Sequence, residues 1–174
     1  MISVNCAAIP EPKIDVELSG CVNDEVTSAT KDYYGLIKSA DQSSLFLDEI
    51  GELSTIAQSR LLQFLEDSAI RRIGGIEQIH VNVRLTAATH RNLLEIISIG
   101  EFRADSYYRL NVFKLTCPPL RDCGTDSVIL GGAFLEQVKN NEMHPEIRPS
   151  CVANAAISKY RWPCSVRELY NVIQ

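Results

Sequence analysis

The nonapeptide from Leu45 to Leu53, LFLDEIGEL, constrains this chain most: an apolar run closes on two adjacent carboxylates, Asp48 and Glu49. A short continuous apolar run is the mark of a strand buried on both faces, and such strands belong to parallel sheets covered by helices. Acids at its end lie at the rim of the sheet. There one can hold a magnesium ion through water and the other can polarise an attacking water. Taken alone, a buried strand ending in a solvated acid fits the same residues.

The rest of the chain alternates strands and helices. Ile2 to Asn5 reads as a short β-branched strand, Asp32 to Ala40 as a helix, and Leu45 to Leu47 as the buried strand. Ser54 is placed to cap a helix in which Ala57, Leu61, Phe64 and Leu65 share one face. From Ile79 to Ala87 apolar residues alternate with His80, Asn82, Arg84 and Thr86, the period of a strand. Val112 to Leu115 reads as one more. Strands separated by helices predict a parallel α/β sheet. After Pro118 and Pro119 the pattern becomes helical: Asp126 to Asn140, Pro149 to Lys159, and a last helix opened by Ser165 with Val166, Leu169, Tyr170 and Ile173 on one face. The expected division is a core over 1–118 and a small helical unit over 119–174.

Bulk properties narrow the function classes. At 174 residues, 45% hydrophobic and 22% charged, the chain can bury a sizeable core. A net charge of -5 argues against a broad nucleic-acid footprint, which needs clustered Lys and Arg. No basic leader or apolar run of membrane-spanning length occurs, so the expectation is a cytoplasmic protein without a membrane anchor. The six cysteines show no C-x-x-C pair and no metal-ligand spacing, and read as reduced.

Around LFLDEIGEL, one fixed order of motifs runs through the chain: VNCAAIP from Val4, RRIGG from Arg71, VRLTAATHRNL from Val83, FRADSYYRLNV from Phe102 and WPCSVREL from Trp162. Together they resemble the central AAA+ domain of the sigma-54-dependent transcriptional activators, the bacterial enhancer-binding proteins. The resemblance implies a partial P-loop NTPase core followed by an α-helical lid, with ATP and Mg2+ as cofactors, a ring homo-oligomer, and sigma-54 RNA polymerase as partner.

It also implies roles for individual residues. LFLDEIGEL takes the place of the Walker B element, in which Asp48 supports magnesium and Glu49 orients the hydrolytic water. Asn5 matches the asparagine that holds this glutamate in a resting position. Thr89 and His90 fall at the first sensor, with the weight on Thr89, because the family often has asparagine where His90 stands. Arg103 and Arg109 match arginines that reach into a neighbour's nucleotide site, a task suited to a permanently charged, forked guanidinium. Arg167 matches the lid arginine that senses nucleotide within its own subunit. In WPCSVREL, Cys164 and Ser165 replace the turn glycine and an asparagine. A cysteine there is expected to strain the turn if it requires positive φ.

Two departures bear on activity. The loop that contacts sigma-54 carries GAFTGA in the family and falls on Asp24 to Ala29, here DEVTSA. Both glycines and the aromatic tip are replaced. A P-loop needs a glycine-rich turn followed by lysine, yet no Gly-Lys pair occurs in the sequence. The expectation is a chain that begins after the P-loop strand and stops within the last lid helix, short of any DNA-binding region. The alternatives are a catalytically dead remnant or regulatory fragment acting only as a binding module, and the acidic pair of another P-loop enzyme such as a helicase. Loss of the P-loop strand should leave the strands at Val81 to Ala87 and Val112 to Leu115 without their shared neighbour.

Overall fold

The computed structural model describes residues 1–22, 32–142 and 148–174. The chain divides into two compact units, Met1–Lys114 and Leu115–Gln174.

In the first unit, strands β1 (Ile2–Asn5), β2 (Ser43–Asp48) and β5 (Val83–Ala87) form a parallel sheet in the order β1-β2-β5. The register sets Asn5 opposite Asp48 on one side of β2 and Ala87 opposite Leu47 on the other. As the central strand, β2 is the most completely enclosed, and Leu45 and Leu47 are fully buried. Each such leucine contributes about 1.5–3 kcal/mol by leaving water. Helices α1 (Glu11–Ser19), α2 (Gly35–Ser39) and α3 (Thr55–Asp67) supply Ile14, Leu18, Ile37, Ala57, Leu61 and Phe64 to the same core. Helix α3 starts as its sequence demands, with the Ser54 hydroxyl accepting the Ala57 N–H at 3.3 Å. It stops where Ser68 turns left-handed at φ 51°.

The alternating stretch from Ile79 to Ala87 is two strands and not one. Its first part, β4 (Gln78–His80), pairs antiparallel with β3 (Ala69–Arg71), whereas β5 pairs parallel with β2. Val81 is buried between them, and its N–H bonds to Ser68. Helix α2 is also shorter than the expected Asp32 to Ala40. Asp32 lies outside it and Tyr33 forms an isolated bridge with Cys21.

Val112 to Leu115 is not a strand. Among the described residues it pairs with nothing in a sheet, and Val112, Phe113 and Leu115 are 87%, 81% and 79% exposed. A strand needs a partner for its backbone groups, and among the described residues the only strand paired with β5 is β2. The helices α4 (Leu93–Ser98) and α5 (Ala104–Leu110) complete the unit.

The second unit packs α6 (Asp126–Glu142), α7 (Cys151–Lys159) and α8 (Ser165–Ile173) around Leu120, Trp162 and Leu169. The Trp162 indole N–H is satisfied by the Ile157 carbonyl at 2.8 Å. The turn before α8 corrects one expectation, while α8 opens at Ser165 as expected. Cys164 lies at φ −94°, a conformation open to any residue, so it carries no strain; the left-handed positions are Trp162 and Ser165. Ser165 does not cap the helix: its hydroxyl accepts the Leu120 N–H, and Glu168 reaches back to the Cys164 N–H at 2.9 Å.

Candidate functional site at the rim of the sheet

The parallel strands β1, β2 and β5 all end at one rim. The chain leaving β2 remains zipped to the chain leaving β5, with Ala88 N–H on Leu47 O at 2.8 Å and Ile50 N–H on Ala88 O at 3.0 Å. These bonds carry the register past the strands and bring residues 88–90 beside Asp48 and Glu49.

Between them the backbone makes a sharp corner. Glu49 is left-handed, at φ 54° and ψ 49°, a conformation costing a non-glycine residue on the order of 1–3 kcal/mol and concentrated at functional sites. The corner is braced on one side by Asp48, whose Oδ1 accepts the Glu49 N–H at 3.1 Å. On the other side stands His90. Its Nδ1 lies 2.7 Å from Glu49 Oε2, and its backbone N–H donates to the same oxygen at 3.3 Å. The hydrogen bond from the His90 ring is the main reason the Glu49 carboxyl sits below its ordinary pKa of 4.5.

Thr89 turns elsewhere. Its Oγ1 accepts the Arg91 N–H at 3.1 Å and packs on Gly51, where a Cβ would come within 3.0 Å of it. Asn5, opposite Asp48 in the sheet, uses its Oδ1 to accept the Ala7 N–H at 2.9 Å, capping the short helical turn Cys6–Ala8. Beneath this rim Cys6 is buried, and desolvation with the nearby Asp48 charge pushes its thiol up to about 11.

The two candidate finger arginines lie on α5 and its entrance. Arg103 is solvent-accessible and forks onto Asp105, with Nη2 2.6 Å from Oδ2 and Nε 3.0 Å from Oδ1. Arg109 is exposed and 4.0 Å from Glu66. Neither forms an ion pair with Asp48 or Glu49 of its own chain. In the second unit Arg167 is exposed on α8 and makes no ion pair among the described residues.

Sequence reasoning missed Gln58 and Arg91, which tie these parts together. Gln58 is 1% exposed, and its amide is fully used. Nε2 donates to the carbonyls of Leu53 and Glu101 at 2.8 and 3.0 Å, and Oε1 accepts the Arg103 N–H at 2.8 Å. Arg91 bonds to the Gly51 carbonyl and pairs with Glu101 and Glu52. The turn after β2, the loop after β5 and the entrance to α5 therefore form one braced body. The available signal was a glutamine at position 58, beside Ala57 on the buried side of α3.

As a donor set, Asp48 and Glu49 suit a hard cation and a water. A phosphate cradle is another matter, since the sequence has no Gly-Lys pair. On either side of the segment that contains Asp24 to Ala29, Gly20 and Gly35 meet back to back. A Cβ on Gly20 would fall 2.2 Å from the Tyr33 carbonyl oxygen, and one on Gly35 would fall 2.4 Å from Gly20 N. Asp24 to Ala29 themselves lie outside the described residues. No helix among the described residues is long and apolar enough to cross a membrane.

Known proteins with the same features confirm the fold. NtrX from Brucella abortus, crystallised with ADP, superposes with a TM-score of 0.89 at 28% identity over 99% of this chain and 37% of its own. Hsp104 from S. cerevisiae, in complex with casein, shares the fold alone, with a TM-score of 0.69 at 18% identity over 100% of this chain and 34% of its own. Both are AAA+ proteins. Among sequence relatives, the nitric oxide reductase transcription regulator NorR2 of Cupriavidus necator is 43% identical over 99% of this chain and 33% of its own length. The nitrogen fixation protein AnfA of Azotobacter vinelandii is 40% identical over 100% of this chain and 33% of its own. The chain thus spans about a third of the length of these curated relatives. Residues 1–116 match the family profile described as the sigma-54 interaction domain, so on profile, relatives and fold alike the chain belongs to that family of bacterial transcriptional activators.

Proposed function

We propose that this chain is the water-handling and subunit-bridging part of an ATPase domain that acts on sigma-54 RNA polymerase in the bacterial cytoplasm. The observation that carries the reading is the left-handed corner at Glu49, which presents a carboxylate at the end of the central strand beside the end of β5. In this reading Glu49 orients the attacking water. Asp48 would hold Mg2+ through water, a cation that would neutralise phosphate charge when bound. Thr89 stands at the sensor turn. Arg103 and Arg109 reach into the site of the next subunit of a ring, where a guanidinium matches phosphate oxygens. Arg167 in the helical unit, read as the lid, senses nucleotide in its own subunit. The same ring would couple hydrolysis to remodelling of the polymerase.

These residues fit magnesium and water but not the phosphates. For the 174-residue chain alone the expected outcome is no measurable magnesium-dependent ATP binding by calorimetry. Tight binding would overturn that expectation. Joining a parallel strand and glycine-rich loop ending in Gly-Lys ahead of Met1 should restore binding and hydrolysis. In that protein Glu49→Gln should lower turnover about 100-fold or more, and Arg103→Ala about 1,000-fold. Hydrolysis unaffected by either would sink the assignment.

A second reading, a catalytically inactive binding module, is favoured by the lack of any Gly-Lys pair in the sequence; separately, DEVTSA places Asp24, Glu25 and Val26 where the family's polymerase-contacting loop is apolar and glycine-hinged. An ATPase restored as above should then fail to activate a sigma-54 promoter. Converting the loop with Asp24→Gly, Glu25→Ala, Val26→Phe and Ser28→Gly should recover activation in a purified transcription assay.

A further inference from the structure

We propose that His90 is the positioning residue of Glu49, holding the carboxylate in one orientation by its ring and its main chain together. The proposal rests on Glu49 being the water-orienting group, and it assigns to His90 the hold that family resemblance gives to Asn5.

Both bonds fall on one oxygen. Oε2 receives the ring nitrogen at 2.7 Å and the backbone N–H at 3.3 Å, so the carboxylate is fixed in direction as well as distance. The main-chain donor is itself fixed, because Ala88 is bonded both ways to the β2 side through Leu47 and Ile50. The corner at Glu49 is fixed too, by Asp48 from below. The ring is the one movable member. The His90 side chain is 72% exposed, against 25% for Glu49, so swinging the ring into water disturbs no packing. A histidine retained for the core would be buried, and its ring would bond to backbone. Asn5, the competing holder, spends its oxygen on Ala7 and makes no bond to Glu49. An imidazole donating through Nδ1 must carry its proton on that atom, the less common tautomer of a free ring, and this gives the contact a signature of its own.

The test uses nitrogen shifts of the His90 ring in the labelled 174-residue chain, at a pH of about 8.5 where unperturbed imidazoles are neutral. The signal is assigned by its loss in His90→Asn. The expected result is a ring protonated on Nδ1 in the wild type, reverting to the ordinary Nε2–H form in Glu49→Ala and unmoved in Asn5→Ala. A wild-type ring in the Nε2–H form, or one indifferent to Glu49→Ala, overturns the proposal. So does an Asn5→Ala variant that releases the ring. A second measurement uses the ATPase restored with a phosphate-binding segment. There His90→Ala should lower kcat about tenfold with KM for ATP within twofold, and His90→Gln, whose amide can still donate, should regain most of it. A loss confined to KM, or none, counts against positioning. Failure of the restored protein with His90 intact to bind ATP would instead sink the ATPase reading, while the tautomer result still decides the role of His90.

Discussion

The two sides of β5 face opposite circumstances. Toward β2, every step is paired, the register continues beyond the strand ends, and the enclosed leucines are shielded completely. Away from β2, no strand joins it among the described residues, and the segment from Asn111 to Pro118 is exposed throughout. The first side carries Asp48, Glu49, the turn from Ala88 to His90 and the braces to α5. The comparison teaches that, in the proposed reading, the groups assigned to water are assembled on the paired side of β5, between β2 and β5, and depend on that pairing alone.

The largest effect that would sharpen this contrast is expected at Leu47, 0% exposed on the central strand. Leu47→Ala should cost about 2–5 kcal/mol by urea unfolding, and a loss below 1 kcal/mol would mean that the paired side is not the stable one. Next comes Gln58→Leu, which keeps the size but strands Leu53 O, Glu101 O and Arg103 N–H. The cost is about 1–3 kcal/mol in all, because Leu53 O is the buried group left without a partner while Glu101 and Arg103 are exposed and can turn to water. Hydrogen exchange at Arg103 should accelerate together with the loss of stability, and unchanged exchange there would break the brace between α3 and the entrance to α5.

A chemical comparison follows. Cys6 is 2% exposed with its thiol pushed up to about 11, whereas Cys117, Cys151 and Cys164 are exposed. Iodoacetamide at pH 8 should modify Cys6 at least 100-fold more slowly than those three, since the thiolate is the nucleophile and is scarce when the pKa is high. Comparable rates would show that the rim opens freely. The smallest effect belongs to the open side: Phe113→Ser should change stability by less than about 0.5 kcal/mol in this chain. Any larger destabilisation would reveal a packing partner for that segment.

Much of this was legible in sequence where the cause is local. The apolar run before Asp48 could be a buried strand and little else, and Ser54 announced α3 through its own side chain. Several of the failures are non-local. Val112 to Leu115 has the residues of a strand, but a strand exists only with a neighbour. The alternation from Ile79 to Ala87 has the same period whether its partner is β3 or β2, so the change of partner at Val81 leaves no mark. His90 and Glu49 are 41 residues apart, and nothing in either segment announces the other. Gln58 could be read as one more polar helix residue until its three partners were in place.

The paired glycines at positions 20 and 35 have a wider consequence. Because neither can carry a side chain without driving it into the other's backbone, and because Cys21 bridges both Tyr33 and Ile73, the two ends of the intervening segment are stapled at a set separation. Whatever sequence lies between them, the core sees the same pair of exits. The staple acts as an insulator: substitutions between the two glycines leave the folding of the sheet undisturbed. That is a physical route by which DEVTSA can occupy positions 24–29 while the fold around it matches that of solved relatives.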